Sequence, residues 1–113
     1  MSNDFYCDEV LNGKTPVQVV TETENVLAFY HTRPFFEAHI VVVPKRHVAS
    51  LLTLKESDRD LLIELFETIK KVALQLNVEK GATRVLTNLG NYQDSKHLHF
   101  HIYYGEQIRP DEG

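Results

Sequence analysis

The stretch "SKHLHFHIYY", residues 95–104, decides how this chain is to be read. It holds three of the six histidines in 113 residues, each separated from the next by one apolar residue. Side chains alternate sides along a strand, so His97, His99, His101 and Tyr103 share one face, and Leu98, Phe100, Ile102 and Tyr104 share the other. The apolar face belongs to a core and the imidazole face to a site. At about 3.3 Å per residue the outer two imidazoles stand roughly 13 Å apart, which suits a row of groups along an extended substrate better than one metal ion held by all three. Two other readings stay open at this point, a polar solvent face that contains histidine and a His-x-His metal pair.

Neutral imidazole is also a nucleophile. One ring can attack phosphorus while its neighbours donate to phosphate oxygens or to the leaving group, giving a phosphohistidine-type intermediate that water later hydrolyses. Such a site wants neutral amide donors nearby. Asn88, ending the strand before the histidines, and Gln93, in the loop that enters them, are placed to supply these. The attacking ring must be unprotonated on one nitrogen, so its other nitrogen should donate to a backbone carbonyl or similar acceptor that fixes the tautomer.

Outward from this segment the chain reads as one α+β unit. Residues 5–12, "FYCDEVLN", predict a short helix stopped by Gly13, and "PVQVVTETENVLAFYH" predicts two strands around a polar turn. "AHIVVVP", 38–44, is a continuous apolar run closed by proline, as expected of a strand buried on both faces. Leu61, Leu62, Leu65, Phe66, Ile69, Val72, Ala73 and Leu76 recur at three- and four-residue steps and predict one long helix. Thr53 with Glu56 offers a capping box before it and Gly81 a stop after it. "TRVLTN", 83–88, is a further strand. An antiparallel five-stranded sheet with the long helix packed across one face is therefore expected.

Composition narrows the function. Sixteen acidic against twelve basic residues leave a formal charge of −4, so no general attraction to nucleic acid or an anionic membrane is expected. No apolar run approaches 18 residues, no signal-like pattern opens the chain, and the single Cys7 cannot close an internal disulfide. These features predict a cytoplasmic protein. The absence of repeats and Pro/Gly-rich linkers predicts one domain over 1–113.

The segment "HLHFHIY", together with "FYCDEVLNGKTP", "NVLAFYHTRP", "AHIVVVPKRH" and "RVLTNLGNYQ", resembles the histidine triad (HIT) family of nucleotide hydrolases and transferases, in its Hint-like branch. The resemblance covers nearly the whole chain. It implies the HIT fold, a homodimer whose sheets join, and cleavage of a nucleoside phosphoramidate or related nucleotidyl P–N or P–O bond. The middle histidine, His99, then takes up the nucleotidyl group. His97 and His101 match positions that orient the nucleophile and contact phosphate or leaving group, with His101 as the proton donor. His39 matches a further family histidine near the site, and Asn88 and Gln93 match the phosphate-side amides. A slowly turning or inactive nucleotide-binding regulatory module and a zinc-binding protein of the same fold are the alternatives.

The chain departs from the family at three points. His31 stands where the family carries an acidic residue that accepts from ribose hydroxyls, and an imidazole offers at most one acceptor. Asp94 stands where close relatives carry a phosphate-binding serine. At about 4 Å a carboxylate repels a phosphate charge by roughly 4 kcal/mol at an effective dielectric of 20, and Ser95, next along, can take the hydroxyl role. Asp4 stands in place of the first cysteine of a zinc-binding Cys-x-x-Cys. Asp4, Cys7, His47 and His97 remain an acceptable tetrahedral donor set for a structural zinc, with no cofactor needed for catalysis.

Overall fold

A computed structural model describes Tyr6 and residues 10–108. Five strands form a single antiparallel sheet: β1 (Val19–Glu22), β2 (Val26–Tyr30), β3 (Phe36–Pro44), β4 (Arg84–Leu86) and β5 (Phe100–Gln107), in the order β1-β2-β3-β5-β4. One long helix, α1 (Arg59–Lys80), connects β3 to β4 and lies across one sheet face. Among the described residues, no helix is long and apolar enough to cross a membrane.

Alternation along the strands builds two cores. Val26, Ala28, Ile40, Val42, Phe100 and Ile102 face the helix and meet Leu61, Leu65, Ile69, Val72 and Leu76. Leu27, Phe29, Val41 and Val43 face the other way and pack with Tyr6 and Val10. The run 38–44 is apolar without alternation because β3 is covered on both faces. The helix stops at Gly81, whose φ of +86° is the left-handed conformation that glycine adopts without a Cβ penalty. Its N–H closes on Asn77 O at 2.7 Å.

Three expectations shift in position. The helix begins at Arg59, after a 3₁₀ turn over Glu56–Asp58, and the Thr53–Glu56 capping box does not form. Thr53 serves instead as the far partner of Ser50: Ser50 N–H donates to Thr53 Oγ1 at 3.1 Å, and Leu52 N–H donates to Ser50 Oγ at 3.1 Å. Leu51 and Leu54 pack on the core, so the chain must turn twice before it can run straight. The strand expected over 83–88 is paired only at Arg84–Leu86. The histidine strand begins at Phe100, so His97 and His99 precede it. Half of the short helix expected over 5–12 falls outside the described residues. Of its members, Tyr6 and Val10 are buried, and Leu11 N–H reaches back five residues to Tyr6 O at 2.7 Å.

Candidate active site

His97 and His99 precede β5 because that segment is tied to the chain after β3 rather than to a ladder. Leu98 N–H donates to Val48 O at 2.6 Å, and the His97 ring donates from Nε2 to Pro44 O at 2.7 Å. The inside-outside alternation survives. Leu98 joins Phe100 and Ile102 in the helix-side core, while His97, His99 and His101 are all buried on the opposite side.

A carbonyl can only accept, so hydrogen bonds to backbone fix the ring protons. His99 Nδ1 lies 2.7 Å from His97 O and must donate to it. Its Nε2 therefore carries a lone pair, the state a nucleophile needs. The carbonyl of His99 is in turn held by Thr87 Oγ1–H at 2.7 Å. His97, expected to orient His99 and to contact phosphate or leaving group, holds the His99 ring through its backbone carbonyl. Its ring is fully buried and turned to Pro44 O.

His101 is governed by His39. In the antiparallel register Val41 faces His101 and Tyr103 faces His39, so the two imidazoles are diagonal neighbours on one face. Their Nε2 (His39) and Nδ1 (His101) lie 2.8 Å apart. Phe35 N–H donates to His39 Nδ1 at 3.1 Å, which places the proton of a neutral His39 on Nε2. Burial pulls the His39 pKa from 6.5 to about 3, with repulsion from His31 and His99 adding to the shift, so this ring is neutral. It donates to His101 Nδ1, and the proton of a neutral His101 lies on Nε2. His101 is thus a hydrogen-bond donor. Acting as a proton-giving imidazolium would require Nδ1–H to face the N–H of His39.

The same logic applies to His31, whose Nδ1 accepts from Arg33 N–H at 2.9 Å. The ring nitrogens of His31, His39 and His101 fall within 4.8 Å of one another. A metal there would have to displace two backbone N–H bonds, because the lone pairs of His31 and His39 are already engaged on Nδ1. The other imidazole pair is better suited. The His47 and His97 rings meet edge to face with centroids 5.4 Å apart, and His97, donating from Nε2 to a carbonyl, keeps its lone pair on Nδ1. Asp4 and Cys7, the remaining members of that expected zinc set, lie outside the described residues.

A cleft opens over His99 and His101, walled by His31, Arg33, Phe35, Asp94 and Ser95 among others. Tyr6 also lines it, with its ring centroid 4.9 Å from that of His99. His99 and His101 meet edge to face at 4.9 Å. Ser95 Oγ is buried and finds no hydrogen-bond partner among the described residues, so a ligand oxygen in the cleft can satisfy it. Asp94, exposed, lines the same cleft.

Two expected phosphate donors are placed differently. Gln93 is buried, and its Nε2 donates to Ala49 O at 2.6 Å and to Ser95 O at 2.9 Å. Both amide protons are used to shape the loop, so none is left for phosphate. Asn88 is half-buried past the end of β4 and is not among the residues lining the cleft. Tyr103, on the imidazole face, stacks on Phe36 at 4.0 Å instead of entering the site. Sequence reasoning did not anticipate Tyr6, Thr87 or Arg33 as site residues: Tyr6 and Thr87 meet His99 through contacts that the tertiary fold creates, and Arg33 enters through a local N–H bond to His31 two residues away.

Comparison with known proteins agrees with this arrangement. The HIT domain family matches residues 12–108. An uncharacterized HIT-like protein of Synechococcus elongatus is 31% identical over 109 residues, covering 96% of each chain. A HIT family hydrolase from Clostridium thermocellum superposes with a TM-score of 0.80 at 28% identity, over 100% of this chain and 99% of that one. A hypothetical histidine triad nucleotide-binding protein from Sulfolobus tokodaii gives 0.79 at 28% identity, over 94% and 77%. A buried imidazole row on a five-stranded sheet, the triad spacing and a match over most of the chain lead to one assignment: this protein belongs to the HIT domain family.

Proposed function

We propose that the protein is a nucleotide-binding hydrolase that cleaves a nucleoside phosphoramidate, or a related nucleotidyl P–N or P–O bond, through a nucleotidyl-His99 intermediate. The observation that carries this reading is the His99 tautomer: Nδ1–H donates to His97 O at 2.7 Å, and the lone pair on Nε2 belongs to a ring that walls the cleft. Nucleotide as the substrate class draws on the Sulfolobus tokodaii protein, which is described as nucleotide-binding. Hydrolysis draws on the Clostridium thermocellum relative.

In this mechanism the lone pair of His99 Nε2 forms a bond to phosphorus as the bond to the leaving amine breaks. The amine leaves with a proton drawn from water at the mouth of the cleft. His99 now carries a positive charge, which the carbonyl of His97 stabilises through Nδ1–H. His101 Nε2–H and Ser95 Oγ–H donate to phosphate oxygens where negative charge builds up. Water then attacks phosphorus, the P–N bond to His99 breaks, and the ring returns to its neutral tautomer. Replacing His99 with Gly should abolish hydrolysis of adenosine phosphoramidate, and added imidazole should restore part of it. Undiminished turnover in the folded variant would remove His99 from the mechanism.

A structural zinc and a homodimer belong to the same reading. His47 and the Nδ1 of His97 would supply two zinc ligands and Asp4 and Cys7 the others, joining the N-terminal segment to the chain after β3. Metal analysis of protein purified without added metal should find stoichiometric zinc, and its absence would end this part. The dimer is supported by β4, a three-residue edge strand with Val85 exposed, which leaves one sheet edge open to a second copy. Sedimentation at micromolar concentration should give twice the chain mass. The single cysteine fits a reducing, cytoplasmic setting.

A further inference from the structure

We propose that His31 and Arg33 form a second anion subsite beside the reacting centre, so that the preferred substrates carry a phosphate on the sugar in addition to the phosphoryl group attacked by His99. This rests on the reading of His99 given above and extends it to the substrate.

The argument begins with proton positions. Arg33 N–H donates to His31 Nδ1 at 2.9 Å, so the only lone pair of a neutral His31 is engaged and the ring presents an N–H at Nε2. His39 stacks on His31 with centroids 4.4 Å apart and has the same tautomer, because Phe35 N–H donates to its Nδ1. His39 then sets the proton of His101 on Nε2. Three adjacent rings therefore carry donors, with His31 6.1 Å from His101 and His101 4.9 Å from His99. This places His31 one ring beyond the reacting centre, next to whatever the phosphorus is attached to.

Arg33 adds a full charge at the same wall. Arg33 lines the cleft, and among the described residues its guanidinium makes no ion pair, the cations so engaged being Lys45 with Glu22 and Arg46 with Asp58. A sugar hydroxyl placed against His31 and Arg33 could accept from them, but it carries no charge for the guanidinium to pair with. A phosphate accepts from both and gains charge-assisted, bidentate-capable contacts to the guanidinium. Asp94 is the one carboxylate walling the cleft among the described residues. It comes from the loop before β5 and is exposed, and its repulsion acts on every phosphorylated ligand.

The test is calorimetric binding of three non-reacting ligands at physiological ionic strength: adenosine 5′-monophosphate, adenosine 3′,5′-bisphosphate and adenosine 2′,5′-bisphosphate. At least one bisphosphate should bind about tenfold or more tightly than the monophosphate. Arg33→Ala, a change at an exposed side chain, should remove most of that preference, and His31→Asp should reverse it. Asp94→Asn should tighten all three ligands. Equal binding of the monophosphate and both bisphosphates, or a ratio unchanged in Arg33→Ala and His31→Asp, would overturn the inference, as would failure of all three to bind. Loss of phosphoramidate turnover in His99→Gly is read separately, so the subsite can fail while the mechanism stands.

Discussion

His99 owes its nucleophilic tautomer to backbone, and its backbone to Thr87. Thr87 Oγ1–H holds the carbonyl of His99 at 2.7 Å, beside the peptide whose other carbonyl, that of His97, receives Nδ1–H. Thr87→Val keeps the shape and deletes the bond. It should cost about 1 kcal/mol of positioning, roughly five- to tenfold in kcat with KM little changed. Steady-state kinetics on adenosine phosphoramidate checks this, and an unchanged kcat would make Thr87 a bystander. Gln93→Leu should act differently, leaving the carbonyls of Ala49 and Ser95 without their donor and lowering stability by about 1–3 kcal/mol. The role expected of His99, and the need for an acceptor at its second nitrogen, could be reasoned from the triad pattern and the chemistry of a neutral imidazole. The roles of Gln93, His97 and Thr87 could not, because sequence shows which groups can donate but not which acceptors the fold brings within reach.

The elements follow the hydrophobic pattern closely: Leu61, Leu65, Ile69, Val72 and Leu76 of the stripe and the apolar run of β3 are buried, while Phe66, read into the same stripe, is exposed. Their ends do not, since a strand ends where its partner ends. β5 loses β3 after Val42 pairs Phe100, and Pro44 closes β3 with no N–H to offer. Leu65, fully buried between helix and sheet, is the position where deletion tells most: Leu65→Ala should cost about 2–5 kcal/mol in urea unfolding. Gly105 marks a different constraint. Its φ is +92°, it lies near the irregularity in the β3–β5 register, and a Cβ there would fall 1.9 Å from Glu37 Oε2. Gly105→Ala should therefore be destabilising, and a second change of Glu37→Ala should recover only some of the steric cost, because the Glu37 Cβ, 2.9 Å from the added methyl, and the backbone strain both remain.

At the scale of the whole molecule, the buried neutral His39 links stability to pH. Its pKa falls from 6.5 when exposed to about 3 when folded, so below pH 6.5 the unfolded chain binds a proton that the folded one refuses. The His39 contribution is complete above pH 6.5 and is lost progressively as pH falls toward 3. Thermal unfolding should show a midpoint that drops across this window, and His39→Gln should flatten the drop. Fold class and the imidazole face were readable from the chain because they rest on periodicity. The donor-lined cleft was not, because its polarity is set by local backbone N–H and C=O contacts that orient the rings of His31, His39 and His99, and by the fold that brings those rings together. The measurement that bears most directly on the account is intact-protein mass spectrometry after a rapid acid-free quench with adenosine phosphoramidate, comparing the parent with His99→Gly. An adenylyl mass on the parent alone, mapped to the peptide containing residues 97–104, is the expected result. A folded parent that turns the substrate over without any adduct, or one that binds nucleotide and neither turns over nor forms an adduct, would contradict a nucleotidyl-His99 intermediate.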